Sequence, residues 1–126
     1  MREVDGLSLS RQCYLAEILV LEAARGVAKQ SEIAARIRVN RSSVTAALRT
    51  LADRGMVLYE PYGAVTLTPE GRHMAEAILA RRSIIRDYLM KALDMEERAA
   101  TDAACCMQYS VPDVVLDRFS ERLRAG

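Results

Sequence analysis

Apolar residues recur at spacings of three and four along most of this chain, the period of helices with one face turned inward. Leu15, Ile18, Leu19 and Ala23 set the first such stripe, on a helix from Ser10 to Arg25 that Gly26 stops. Ser31 is placed to cap a short second helix, Glu32 to Arg38, with Ile33, Ala34 and Ile37 inward. Its small pair Ala34 and Ala35 leaves room for another helix to come close. Beyond Val39-Asn40 a third helix runs from Arg41 to Arg54. Val44, Leu48 and Leu51 form its buried edge, Ser42, Thr45, Ala46 and Arg49 occupy the opposite face, and Gly55 ends it. Two β-prone runs, Met56 to Tyr59 and Ala64 to Leu67, flank Pro61-Tyr62-Gly63 and make a hairpin. Thr68 as cap and Pro69 at the first position then open a fourth helix that reaches about Leu93. Ile78, Ile85 and Leu89 mark its stripe, widened by Leu79, Met90 and Leu93. At ~1.5 Å per residue it is roughly 35 Å long, which suits an arm leading to a dimer interface. Asp94 with Glu97 resembles a capping box opening a fifth helix to about Tyr109. Ser110 with Asp113 opens a sixth, which carries Val115, Phe119 and Leu123.

Composition narrows the class. A chain of 126 residues is one domain, or a small module with an oligomerisation arm, and 51% apolar residues suffice for a packed core. Aromatics at 5% and the absence of Trp favour helices over a sandwich or barrel. No apolar run approaches the ~18 residues of a membrane span. The opening MREVDGLSLS carries two acids and does not look like a secretory signal, and three Cys are too few for a disulfide scaffold. A reducing cytoplasm is the expected compartment. No catalytic constellation is visible: His73 is the single His, Asp94, Glu96 and Glu97 read as a helix start, and neither a glycine-rich phosphate loop nor a Cys-x-x-Cys pair occurs. An enzyme is not expected.

The order helix, short helix, tight turn, helix, hairpin is that of a winged helix-turn-helix, followed here by three further helices. The fold class is therefore mainly α: a DNA-binding domain over residues 1–72 and a helical dimerisation domain over 73–126. In such a motif the helix after the turn enters the major groove. The net charge of +1 is uninformative, but residues 25–49 hold six basic residues (Arg25, Lys29, Arg36, Arg38, Arg41, Arg49) against one acid, Glu32. The surplus is centred on the turn and the third helix, as phosphate contact at one place requires. Tyr62 and Gly63 tip the wing beside it. The alternative is a winged helix used for protein contact, since fold does not fix function.

Several segments resemble the diphtheria-toxin-repressor and manganese-transport-regulator family of metal-dependent repressors. They are Cys13-Tyr14-Leu15-Ala16-Glu17-Ile18, Glu32-Ile33-Ala34-Ala35-Arg36-Ile37, Arg41-Ser42-Ser43-Val44-Thr45, Leu51-Ala52-Asp53-Arg54-Gly55-Met56-Val57 and Val65-Thr66-Leu67-Thr68-Pro69-Glu70-Gly71. The resemblance spans about residues 9 to 124, without the family's C-terminal SH3-like domain. It implies a homodimer on a palindromic double-stranded DNA operator, with Asn40, Arg41, Ser42, Ser43, Thr45, Ala46 and Arg49 on the DNA face. It also implies a divalent metal effector, and there the residues depart. The family's ligand positions fall on Cys13, Ala16, Arg82, Ala103, Cys106 and Met107, or with a one-residue slip on Ala104, Met107 and Gln108. None is Asp, Glu or His, and Arg cannot ligate a metal, so Mn(II) or Fe(II) is not expected. Three readings stay open. Cys13, Cys106 and Met107 bind a soft ion such as Cu(I). Alternatively the thiols form a redox sensor, with Arg82 stabilising a thiolate. In the third reading they are ordinary packing residues, Arg82 pairs with a carboxylate such as Asp102, and the regulator is metal-independent.

Overall fold

The computed structural model describes residues 9–60 and 63–126. Along them the order is α1 (Leu9–Arg25), β1 (Ala28–Lys29), α2 (Gln30–Ile37), α3 (Arg41–Asp53), β2 (Val57–Tyr59), β3 (Ala64–Leu67), α4 (Pro69–Leu93), α5 (Glu97–Met107) and α6 (Asp113–Ala125). The described residues fall into two compact units, 9–76 and 77–126, so that α4 supplies residues to both.

The first unit is a winged helix-turn-helix. Its core draws Leu15 and Ile18 from α1, Ile33 from α2, Val44, Leu48 and Leu51 from α3, and Val57 and Val65 from the hairpin, all fully buried. Each such side chain contributes about 1.5–3 kcal/mol relative to exposure. The edge of α3 is the one its period predicts. That of α1 is not: residues 14–18 are buried all round, Leu19 is half-buried, and Ala23 is exposed in the last turn, where the helix has left the core.

The sheet has the order β1-β3-β2, antiparallel throughout. Val57 pairs with Leu67 and Tyr59 with Val65, so the wing presents Val57, Val65 and Leu67 inward and Leu58, Ala64 and Thr66 outward. The pattern did not reveal β1, because two residues carry no period. Ala28 and Lys29 join β3 opposite Val65 and Ala64. That pairing holds Lys29 extended as the residue preceding α2, whose first residue is Gln30. Ser31 therefore lies inside the helix and does not cap it. At the other end Arg38 takes the left-handed conformation (φ 64°), and the amides of Arg38 and Val39 both donate to the Ala34 carbonyl.

Two carboxylates pin α1 within this unit. Glu17, 8% exposed, accepts from Arg36 of α2 at 2.7 and 2.9 Å; Glu22 accepts from Arg72 of α4 and from the Leu67 amide. A buried carboxylate without such partners would be costly. Thr68 caps α4 as expected: its hydroxyl accepts from the Gly71 amide at 3.0 Å and donates to the Gly55 carbonyl at 2.7 Å. The tight junction brings Gly71 against the hairpin base, where an added Cβ would lie 1.9 Å from the Met56 carbonyl oxygen.

In the second unit Ile85 and Leu89 of α4 pack on Ala100 and Ala104 of α5 and Leu116 of α6. Ile84, Met90, Met107, Val111 and Phe119 close around them. Tyr88 stacks on Phe119, centroids 4.0 Å apart and planes within 7°. Leu93, read as part of the apolar stripe, is exposed at the end of α4. Neither expected cap forms. Asp94 reverses the chain with φ 54°, and Glu96 precedes α5 without a side-chain bond. The Ser110 hydroxyl turns back to the Met107 carbonyl, and Pro112 precedes α6. Among the described residues no helix is long and apolar enough to cross a membrane.

Gly71→Ala is expected to lower the free energy of unfolding by about 1–3 kcal/mol through overpacking against backbone. A reduced urea midpoint at unchanged slope checks it, and an unshifted midpoint refutes the close approach.

Candidate nucleic-acid interface and effector positions

α3 is a short helix whose apolar edge is fully consumed by the core, so its other face is free to meet a partner. Ser42, Ser43, Ala46 and Arg49 are exposed, as is Arg41 at its first position. Ser42, Ala46 and Arg49 follow at i, i+4 and i+7 and share one stripe. Its entry is built by Asn40, whose Oδ1 accepts from the Ser43 amide and from the Ser42 hydroxyl, both at 2.8 Å. Thr45 is half-buried and points elsewhere: its hydroxyl donates to the Arg41 carbonyl at 3.0 Å and accepts from Gln30 Nε2. Of the predicted interface residues, then, five face outward and two, Asn40 and Thr45, spend side-chain oxygens on positioning the helix.

Gln30 is a positioning residue that the pattern did not single out. It opens α2, is 9% exposed, and joins three elements: its amide nitrogen reaches Thr45 on α3 and its carbonyl oxygen accepts from the Tyr59 hydroxyl on β2 at 3.5 Å. A polar residue beside Lys29 and Ser31 reads as surface; only the β1–β3 pairing turns it inward.

Charge on this face is sharper than the sequence count. Arg25 is paired with Glu32 at 3.0 Å and Arg36 with Glu17. Lys29, Arg38, Arg41 and Arg49 are exposed and meet no acid among the described residues. Lys29 and Arg41 also border a cleft of about 250 Å³, lined further by Gln30, Ser31, Gly63 and Ala64, at the starts of α2 and α3 beside the wing. Tyr62, predicted at the wing tip, lies outside the described residues.

The effector positions divide between the units. Cys13 is half-buried on α1 of the first, and Ala16, one turn on, is fully buried. Burial, and secondarily the neighbouring Cys13, raise the Tyr14 phenol above its ordinary 10.0. In the second unit Cys105 is half-buried, Cys106 exposed, and Met107 packed on the apolar cluster. Consecutive residues on a helix diverge by about 100°, so Cys106 and Met107 do not share a face. Among the described residues no three of His, Cys, Asp and Glu come together in a group able to hold a metal ion. Arg82 does not pair with Asp102, which is exposed; its Nε donates to Gln108 Oε1 at 3.1 Å.

Comparisons with known proteins agree with this architecture. Residues 6–65 match the iron dependent repressor N-terminal DNA binding domain, and residues 68–125 its metal binding and dimerisation domain. An uncharacterised HTH-type transcriptional regulator of Methanocaldococcus jannaschii is 32% identical over 114 residues, 90% of this chain and 91% of that one. The transcriptional regulator MntR of Salmonella typhimurium is 34% identical over 101 residues, 80% of this chain and 62% of its own. A manganese-dependent transcriptional repressor in complex with manganese superposes with a TM-score of 0.83 at 29% identity, covering 90% of this chain and 52% of that one. Thermoplasma acidophilum IdeR, at 22% identity and a TM-score of 0.82, shares the fold. The chain thus spans about half the length of these solved relatives.

Gln30→Ala is expected to cost about 1–3 kcal/mol in unfolding free energy, and Tyr59→Phe less than about 1 kcal/mol, the second bond being long. Urea titration of both variants checks the order; equal small effects would refute the bridge.

Proposed function

The chain belongs to the iron-dependent repressor family of winged-helix transcriptional regulators, and from that premise we propose that it is a dimeric repressor seating α3 of each copy in the major groove of a two-fold symmetric operator. The second unit, matched by the family's dimerisation domain, joins the copies. Regulation of transcription, not catalysis, is its activity. The observation that carries the operator reading is the set of four exposed cations without acidic partners, Lys29, Arg38, Arg41 and Arg49, disposed around the start of α3.

Each group has a physical part. The N-terminal end of α3 carries partial positive charge, the Ser43 hydroxyl stands there ready for phosphate or base edge, and Ser42, its hydrogen held by Asn40, offers lone pairs to a base edge. Ala46 keeps the helix face low, so backbone and groove floor come close. Arg49 reaches a base edge or phosphate from the same stripe, and Arg41 with Lys29 seats a backbone phosphate at the cleft beside the wing. Asn40 and Thr45 hold the start of α3 in place through their side-chain oxygens.

The family takes a metal, and its effector here is a thiophilic ion such as Cu(I) rather than Mn(II) or Fe(II). Donor chemistry supports that reading: each unit carries a thiol outside any disulfide at an aligned position, Cys13 in the first and Cys106 in the second, and no carboxylate or imidazole stands at those positions. A metal panel with Cys13→Ser/Cys106→Ser tests it. The response to Cu(I) should vanish in the variant, and a response retained without these thiols refutes it.

Arg49→Ala is expected to weaken binding to a duplex selected from a random-sequence pool by about 1–3 kcal/mol, roughly 5- to 150-fold, with the unfolding midpoint unchanged. For the parent chain affinity should fall steeply with salt, the logarithmic slope reporting the phosphates neutralised. Fluorescence anisotropy at several ionic strengths measures both. Salt-independent binding, or no binding below 50 mM salt, would leave the protein-contact module as the better account.

A further inference from the structure

The C-terminal end of α5 is an electrostatic problem, and two adjacent arginines solve it. The last carbonyls of a helix lack intrahelical partners and carry the negative end of its dipole. Here Arg81 of α4 donates from Nε to the Gln108 carbonyl at 2.8 Å and from Nη2 to the Val111 carbonyl, and its Nη1 meets the Asp113 carboxylate at 2.6 Å. Arg82 donates from Nε to Gln108 Oε1 at 3.1 Å, and Gln108 Nε2 donates on to the Cys105 carbonyl at 3.2 Å. Gln108 is only 1% exposed, so the bonds it makes are sheltered from water, where charge-assisted bonds count most, while the Arg81–Asp113 pair lies at the surface.

These groups do what a bound cation does: they draw carbonyl and carboxylate oxygens of α5, the following turn and α6 onto α4. The unit matches a metal-binding domain, yet its residues do not fit a hard divalent ion. No three metal-ligating side chains of the types His, Cys, Asp and Glu gather among the described residues, and the groups that do gather include two permanent guanidinium charges that repel a second cation. We infer that the Arg81–Arg82 clamp on Gln108, Val111 and Asp113 takes over the cross-linking task of a divalent metal, so that this unit is locked, and the repressor competent, without Mn(II) or Fe(II). The clause on repression rests on the DNA-binding reading above; the clause on the clamp does not.

Thermal unfolding of the whole chain decides it. Tm in excess EDTA should equal Tm in saturating Mn(II) or, anaerobically, Fe(II), and isothermal titration with Mn(II) should show no saturable site. Arg82→Met should lower Tm by about 5–10 °C, with no recovery on adding either metal, while Arg82→Lys should recover only part of the loss. Saturable Mn(II) binding with a rise in Tm, or an Arg82→Met chain as stable as the parent, overturns the inference. Should Arg82→Met fail to fold, the parent titrations still decide. Affinity for the selected duplex should be equal in EDTA and Mn(II), and a tenfold gain with Mn(II) refutes competence without that ion. A chain that ignores DNA altogether refutes the repressor reading, and the unfolding arm then judges the clamp alone.

Discussion

A single amide side chain ties together the three elements that hold the exposed face of α3 in place. Gln30 begins α2, yet its nitrogen reaches Thr45 on α3 and its oxygen takes the Tyr59 hydroxyl on the wing. Apolar packing through Val44, Leu48 and Leu51 already sets which face of α3 turns inward. Hydrogen bonds add direction that dispersion lacks. By tying Thr45 to the sheet, Gln30 fixes the fine rotation of α3, whose outward stripe is Ser42, Ala46 and Arg49.

The second unit meets a parallel need by other means. To its apolar cluster α5 contributes the buried alanines Ala100 and Ala104, which bury little area each and let α4 and α6 come close. With so little apolar area from α5, polar cross-links at the margin matter correspondingly more. Arg81 and Arg82 supply them through Gln108, Val111 and Asp113, and Lys91 adds a bond to the Leu123 carbonyl at 3.2 Å near the end of α4. Fixed charge on α4 does not depend on supply from solution, which separates this arrangement from a loaded metal site.

Legibility in the sequence followed the strength of periodic signals. The buried edge of α3, the two hairpin strands, the Thr68 cap and the stripe Ile78, Ile85 and Leu89 were all readable, because each repeats or uses a residue type with one strong local preference. The caps at Ser31, Asp94 and Ser110 were misread for a common reason. Each depends on backbone placement that residue type alone does not decide: the distant pairing with β3 for Lys29, and, locally, the reversal at Asp94 with φ 54° and the turn bond from Ser110 to Met107. β1 is too short to show a period. Gln30 was invisible because a polar residue near a helix end reads as solvated, and Gln108 was singled out only as a slipped ligand position, not as an organiser of its unit. The outward residues of α3 were legible from amphipathicity, whereas the neutralisation of Arg25 and Arg36 needed the fold.

The cap at Asn40 leaves a chemical signature on the surface it helps build. With Oδ1 occupied by the Ser43 amide and the Ser42 hydroxyl, Asn40 retains outward only its NH₂ hydrogens. Ser42 has its own hydrogen engaged in that bond, and the hydroxyl hydrogen of Thr45 is directed at the Arg41 carbonyl. Arg41 and Arg49 offer donors alone. The exposed face is therefore divided: Asn40, Arg41 and Arg49 turn hydrogens outward, whereas Ser42, its hydrogen spent, turns lone pairs outward. On the proposed DNA-binding reading the arginines suit the N7 and O6 of guanine, and Ser42 suits an amino group such as that of cytosine.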